Sequence, residues 1–132
     1  DVRRPQVIAY NFKTRQHRVV LAAEYGDIDP QQFIKHQYVT YKSTDGTEIP
    51  AIFYRPRTDD GTPKPAIVYL HGGPTAQFFR NFDIIAQTLA TAGFAVLMPN
   101  VRGSTGYSAE HRDAITLDWG GVDLQGAAAV GQ

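Results

Sequence analysis

The residues best equipped for chemistry lie in two short glycine-rich stretches, His71-Gly72-Gly73-Pro74 within AIVYLHGGPTAQFF and Arg102-Gly103-Ser104-Thr105-Gly106 within NVRGSTGYS. Each follows an apolar run, Ala66–Leu70 in the first case and Phe94–Met98 in the second. At Gly72 and Gly73 the missing Cβ lets a ligand approach the backbone and relaxes the limits on φ. An N–H left unpaired there can donate to the oxyanion of a tetrahedral intermediate, a contact worth on the order of 3 kcal/mol of transition-state stabilisation. A glycine pair also closes many ordinary strand-to-helix turns, and taken alone the stretch admits both readings.

Other chemistries find less support. Neither loop has the G-x-x-x-x-G-K-[ST] spacing of a phosphate-binding loop, although a looser anion nest over Gly103–Gly106 fits the composition. The histidines, His17, His36, His71 and His111, lack the i, i+4 pairing or carboxylate companions of a metal site. No metal and no cofactor are therefore expected, and all but His71 are read as surface or loop residues. The serines are Ser43, Ser104 and Ser108. None sits in G-x-S-x-G, because Arg102 occupies the first glycine position relative to Ser104. No nucleophile can be named.

The elements that must position these loops follow from periodicity. PQVIAYNFKTRQHRVVLAA reads as a hairpin of Val7–Phe12 and Arg18–Leu21 around a polar turn at Lys13–Gln16. EYGDIDPQQF is a connector broken by Gly26 and Pro30. QYVTYKSTDGTEIPAIFYRP is a second hairpin turning at Asp45-Gly46, with Pro50 and Pro56 placing its second arm at or near a sheet edge. Ala66–Leu70 has the continuous apolar character of a strand buried on both faces. Phe82, Ile85, Ala86 and Leu89 recur with helical spacing, Gly93 stands where a C-terminal cap is expected, and Phe94–Met98 is a second buried strand ended by Pro99. Strand, helix and strand make a βαβ unit, which implies a parallel sheet. Residues 108–115 can form a short helix, and Val122–Val130 starts a longer one. The class is thus α/β over residues 65–132, preceded by β structure over 1–60.

Composition sets outer bounds. Thirteen basic and thirteen acidic residues cancel in a chain of 132, so no nucleic-acid or anionic-membrane partner is expected. The absence of cysteine excludes a disulfide scaffold, a thiolate zinc site and a cysteine nucleophile. No apolar run approaches the roughly 20 residues of a membrane span, and no signal-peptide pattern opens the chain, which gives an expectation of a cytoplasmic location. Met98 is the only methionine, and the last residues fall inside a helical pattern, so a piece of something larger is expected.

Taken in order, YLHGGPTAQFF, FDIIAQTLATAGFAVLMPNVRGSTGYS and DWGGVDLQ resemble the prolyl oligopeptidase family of serine peptidases, and within it the acylaminoacyl-peptidase and dipeptidyl-peptidase-like branch. VTYKSTDGTEIPAIFYRP is similar to the hairpin that opens the catalytic domain there, so the resemblance spans residues 36–130. It implies the end of a β-propeller over residues 1–25, a linker over 26–35, and the N-terminal portion of an α/β-hydrolase domain over 36–132. It also implies a peptide substrate. The HGGP loop carries over as the oxyanion-hole loop, with the N–H of Gly73 or Gly72 as donor, Pro74 fixing the turn, and His71, Arg102 and Gly103 as further loop support. Some relatives use the hydroxyl of a tyrosine where His71 stands; backbone donation is the expectation here. Asp118 and Trp119 would set the start of the following helix. The chain departs from the pattern at Ser108 and His111, where a glycine and an aromatic residue are frequent, and at Gly126, where a second acidic residue is common.

The family's serine, aspartate and histidine would all lie beyond Gln132, so no triad residue is expected within the chain. Two other readings stand beside the peptidase. One is an esterase or lipase segment of the same fold, and the other is a non-catalytic binding module that keeps the sheet.

Overall fold

Two hairpins, one strand–helix–strand unit and two further short helices make up most of the regular structure of the computed structural model, which describes residues 5–57, 60–73 and 75–131. Strands β1 (Gln6–Asn11) and β2 (Gln16–Ala22) pair antiparallel as a separate two-stranded sheet. Its turn forms because the Asn11 carboxamide accepts from the N–H groups of Lys13 and Thr14 at 2.9 and 3.1 Å. The connector holds a single 3₁₀ turn at Pro30–Gln32, capped by the Asp29 carboxylate.

The second sheet contains β3 (Gln37–Lys42), β4 (Glu48–Tyr54), β5 (Ala66–Val68) and β6 (Ala95–Pro99) in the order β3-β4-β6-β5. It is mixed rather than parallel: β3 pairs β4 and β4 pairs β6 antiparallel, and only β5 and β6 run parallel. The βαβ expectation holds for β5, helix α1 (Ile84–Thr91) and β6. The edge position expected for the second arm does not, because β4 lies between β3 and β6. Pro50 is tolerated there for a simple reason. In an extended strand the N–H and C=O of one residue point to the same neighbour. The Pro50 carbonyl accepts from Asn100 N–H at 2.8 Å, so its missing donor faces the end of the β6 ladder and costs the β3 pairing nothing.

A second correction concerns Ala66–Leu70. The strand is shorter, and Ala66 and Val68 are exposed, because among the described residues β5 pairs with β6 alone. Its apolar run marks surface that this chain leaves uncovered. Strand β4 is instead the one buried on both faces. Ile52 and Tyr54 join Ala86, Ala90, Val96 and Met98 in the core under α1. Ile49, three residues before Ile52 and so on the other face, lies beneath Gly126 of helix α3 (Val122–Ala128). Burying each of the large side chains contributes roughly 1.5–3 kcal/mol.

Helix α1 starts where the Asp83 carboxylate accepts from Ala86 N–H at 2.9 Å. It ends in a Schellman motif: Phe94 N–H reaches the Leu89 carbonyl, Gly93 N–H reaches that of Ala90, and Gly93 takes φ +100°. The buried face is Ala86, Gln87 and Ala90, whereas Ile85 from the expected stripe is 48% exposed. Gln87 holds its place by bonding both backbone groups of Ile34, at 2.9 and 2.8 Å. A five-residue helix, α2 (Ala109–Asp113), precedes α3, which runs into a 3₁₀ turn at Ala129–Gly131. Among the described residues no helix is long and apolar enough to cross a membrane.

Candidate active site

Because β5 and β6 are parallel neighbours, the loops after them leave the same edge of the sheet, where open α/β sheets bind ligands. The two loops are tied together. Thr105 N–H donates to the Ala76 carbonyl at 2.9 Å. The buried Asn100 accepts from Phe78 N–H at 2.7 Å, and its amide donates to the Phe78 carbonyl at 3.1 Å and the Tyr107 hydroxyl at 2.7 Å. Gly106 takes φ +86°, a backbone conformation that favours glycine, and lies against the Gln77 carboxamide.

At the centre of the first loop, Gly73 takes φ +133°, and a Cβ on it would stand 2.9 Å from Thr75 N. Gly72 has open space where a Cβ would be. Among the described residues neither N–H meets an acceptor. The His71 ring lies beside them, with Nδ1 3.0 Å from the Gly72 carbonyl and Nε2 3.0 Å from Ser104 Oγ. Its edge meets the Phe78 ring at 5.0 Å between centroids. Pro74, also expected in this loop, lies outside the described residues.

Arg102 and Gly103 of the second loop face elsewhere. Arg102 pairs with Asp45 in the β3–β4 turn and donates to Ser43 Oγ at 3.2 Å and to the Val122 carbonyl at 3.1 Å. A hydrogen bond from the Thr47 N–H, then one from the Arg102 guanidinium and one from the Thr47 hydroxyl, hold the Asp45 carboxyl down at about 2. Gly103 (φ +100°) packs so tightly that a Cβ would meet Ile115, and its N–H donates to the His111 carbonyl at 2.8 Å. Ser104 N–H goes to Val101 and Thr105 N–H to Ala76, so the anion nest considered over Gly103–Gly106 has three of its donors spent. Nor are the histidines all surface residues. His111 Nε2 donates to the carbonyls of Val101 and Asn100 at 3.0 and 3.1 Å, anchoring α2 to this loop. His36 is half-buried against Tyr54, and burial foremost lowers its pKa.

No serine offers an accessible hydroxyl beside a base. Ser108 caps α2 by accepting from His111 N–H, Ser43 is buried under Arg102, and Ser104 is fully buried. At the start of α3 the Asp118 carboxylate accepts from Val122 N–H at 3.1 Å, while Trp119 is 72% exposed. A cavity of about 200 Å³ opens between the loop after β5 and α3, lined by Leu70, His71, Val101, Asp123 and Leu124. The larger groove, along β1 and β2, touches neither glycine loop. Among the described residues no group of three or more histidine or carboxylate side chains could hold a metal ion.

Known proteins resemble this chain in sequence and in fold. A model of the prolyl oligopeptidase family matches residues 80–132. Dipeptidyl-peptidase 5 of Schizosaccharomyces pombe is 31% identical over 120 residues, which are 89% of this chain and 17% of that protein. The crystal structure of puromycin hydrolase superposes on 95% of the chain with a TM-score of 0.85 at 31% identity. The chain belongs to the prolyl oligopeptidase family. The acylaminoacyl peptidase of Pyrococcus horikoshii matches 73% of it with a TM-score of 0.65 at 28% identity. This chain spans 20% of the puromycin hydrolase and 15% of the acylaminoacyl peptidase.

Of the residues singled out in the sequence, His71, Gly72 and Gly73 come together, and Arg102 and Gly103 stand behind them, facing the β3–β4 turn and α2. Ser104 and Asn100 join the first loop although sequence reasoning gave neither a part in it. The one available signal was position, and for Asn100 alone: it is a polar residue that directly follows a buried strand, where an unbonded polar group would be costly.

Proposed function

We propose that this chain supplies the oxyanion-hole loop of a serine peptidase that hydrolyses short peptides through an acyl-enzyme. On this reading residues 36–132 are the N-terminal portion of an α/β-hydrolase domain, residues 26–35 a linker, and residues 1–25 the end of a β-propeller. The observation that carries it is the pair of unengaged N–H groups at Gly72 and Gly73, held at the carboxyl edge of parallel strands by a second loop. When a serine attacks a peptide carbonyl, the carbonyl oxygen gains a full negative charge. A backbone N–H already aimed at that position stabilises it without reorganisation, by about 3 kcal/mol. Pro74 would stiffen the turn. Arg102 contributes from behind, joining the β3–β4 turn to the start of α3, with no group of its own offered to substrate. Nucleophile, base and orienting carboxylate would come from sequence after Gln132, in a G-x-S-x-G elbow and beyond.

The full-length protein is expected to be labelled by a fluorophosphonate and to hydrolyse dipeptidyl or acylaminoacyl amides. Turnover of simple esters with inert peptide amides would favour the esterase reading, and absence of labelling would sink both in favour of a binding module. The 132-residue chain alone is expected to give no turnover, because donors without a nucleophile and base cannot form an acyl-enzyme. Gly73→Ala should lower kcat by roughly 100-fold by displacing the donor.

A further inference from the structure

The imidazole of His71 bonds at both nitrogens, once to each of the two loops. We propose that His71 is a positioning residue that fixes the Gly72–Gly73 peptide, and that Ser104 fixes His71 in turn. This rests on the oxyanion-hole reading and extends it to side chains that act through the loop backbone.

Partners dictate the protonation. The Gly72 carbonyl can only accept, so Nδ1 carries the proton. Nε2 stands 3.0 Å from the Ser104 hydroxyl, which can complete the bond as donor or acceptor. Ser104 is itself immobile, fully buried with its N–H spent on Val101. The ring is further held edge-on by Phe78, whose own backbone groups are clamped by Asn100.

The consequence lies in one peptide plane. The Gly72 carbonyl and the Gly73 N–H belong to the same trans unit and point in opposite directions. Drawing the oxygen toward the imidazole turns the hydrogen away from it. Two glycines in succession would otherwise let this plane rotate easily, and a rotated plane would present a carbonyl oxygen to the developing negative charge. His71 removes that alternative before substrate arrives, and Ser104 links the choice to the loop after β6.

The test uses the full-length protein. His71→Phe keeps the aromatic contact with Phe78 and deletes both hydrogen bonds; kcat for a peptide amide should fall about 10- to 100-fold with KM nearly unchanged. His71→Asn, whose side-chain N–H can reach the Nδ1 position, should recover most of that loss. Ser104→Ala should lower kcat by about 10-fold, and Ser104→Thr should restore it. If His71→Phe does not fold, the Ser104 pair carries the test. A kcat within about twofold of wild type in His71→Phe, or in Ser104→Ala where that variant must stand in, overturns the proposal. So does equal loss in His71→Phe and His71→Asn. The oxyanion-hole reading fails by a different result, namely Gly73→Ala retaining full kcat in a protein that the fluorophosphonate labels.

Discussion

Asp45 occupies an exposed hairpin turn, and its carboxylate nevertheless holds together residues far apart in the chain. Thr47 and Arg102 both bond the charged form and hold its pKa down to about 2. A depressed carboxylate stabilises the folded state at pH values above its unfolded pKa of about 3.9, and that contribution is lost as pH falls through the folded value. Acid unfolding followed by circular dichroism should therefore show a component between about pH 4 and pH 2 that is missing in Asp45→Asn. The turn itself was legible, since Asp-Gly between two β-rich arms has few other readings. Its partner was not, because Arg102 lies 57 residues along and no local pattern encodes that meeting. The same holds for His71, visible as a member of a motif but not as a residue bonded to Ser104.

Helix α1 shows how far periodicity carries at the scale of an element. Its existence, its C-terminal glycine and its place between two strands were all readable from spacing. The face was not. Counting apolar residues selects Ile85, whereas the helix turns Gln87 inward, because a polar side chain that meets both backbone groups of Ile34 leaves nothing unsatisfied. Replacing it with Leu keeps the volume but orphans those two groups, at a cost of roughly 2 kcal/mol, equivalent to about 30-fold faster hydrogen exchange at Ile34. Ile85→Ala should leave that exchange unchanged. Mass-spectrometric exchange on the full-length protein measures both. Strand β5 failed in the opposite sense: an unbroken apolar run was legible, but whether anything covers it depends on neighbours that lie outside the run.

At the scale of the molecule, element order was open to sequence reading and strand adjacency was not, since the order β3-β4-β6-β5 arises from contacts far apart in the chain. The outer edge of β5 and the faces of β1 and β2 present Val68, Val7, Ile8, Tyr10 and Val20 to solvent. The isolated chain should therefore associate in a concentration-dependent way, seen as rising light scattering on warming. A reversible monomeric melt, independent of concentration, would contradict this. Against that exposure, two internal fastenings behave differently. Gln87 grips Ile34 and Asn100 grips Phe78 by the same pair of bonds, one accepted and one donated. Each carboxamide thus impersonates a residue of an extra strand, giving a loop the partner a sheet would have offered without spending any chain on it. Being neutral, these counterfeit rungs neither titrate nor feel salt. The connector and the first glycine loop should keep their seats across changes of pH and ionic strength that loosen the Arg102–Asp45 tie.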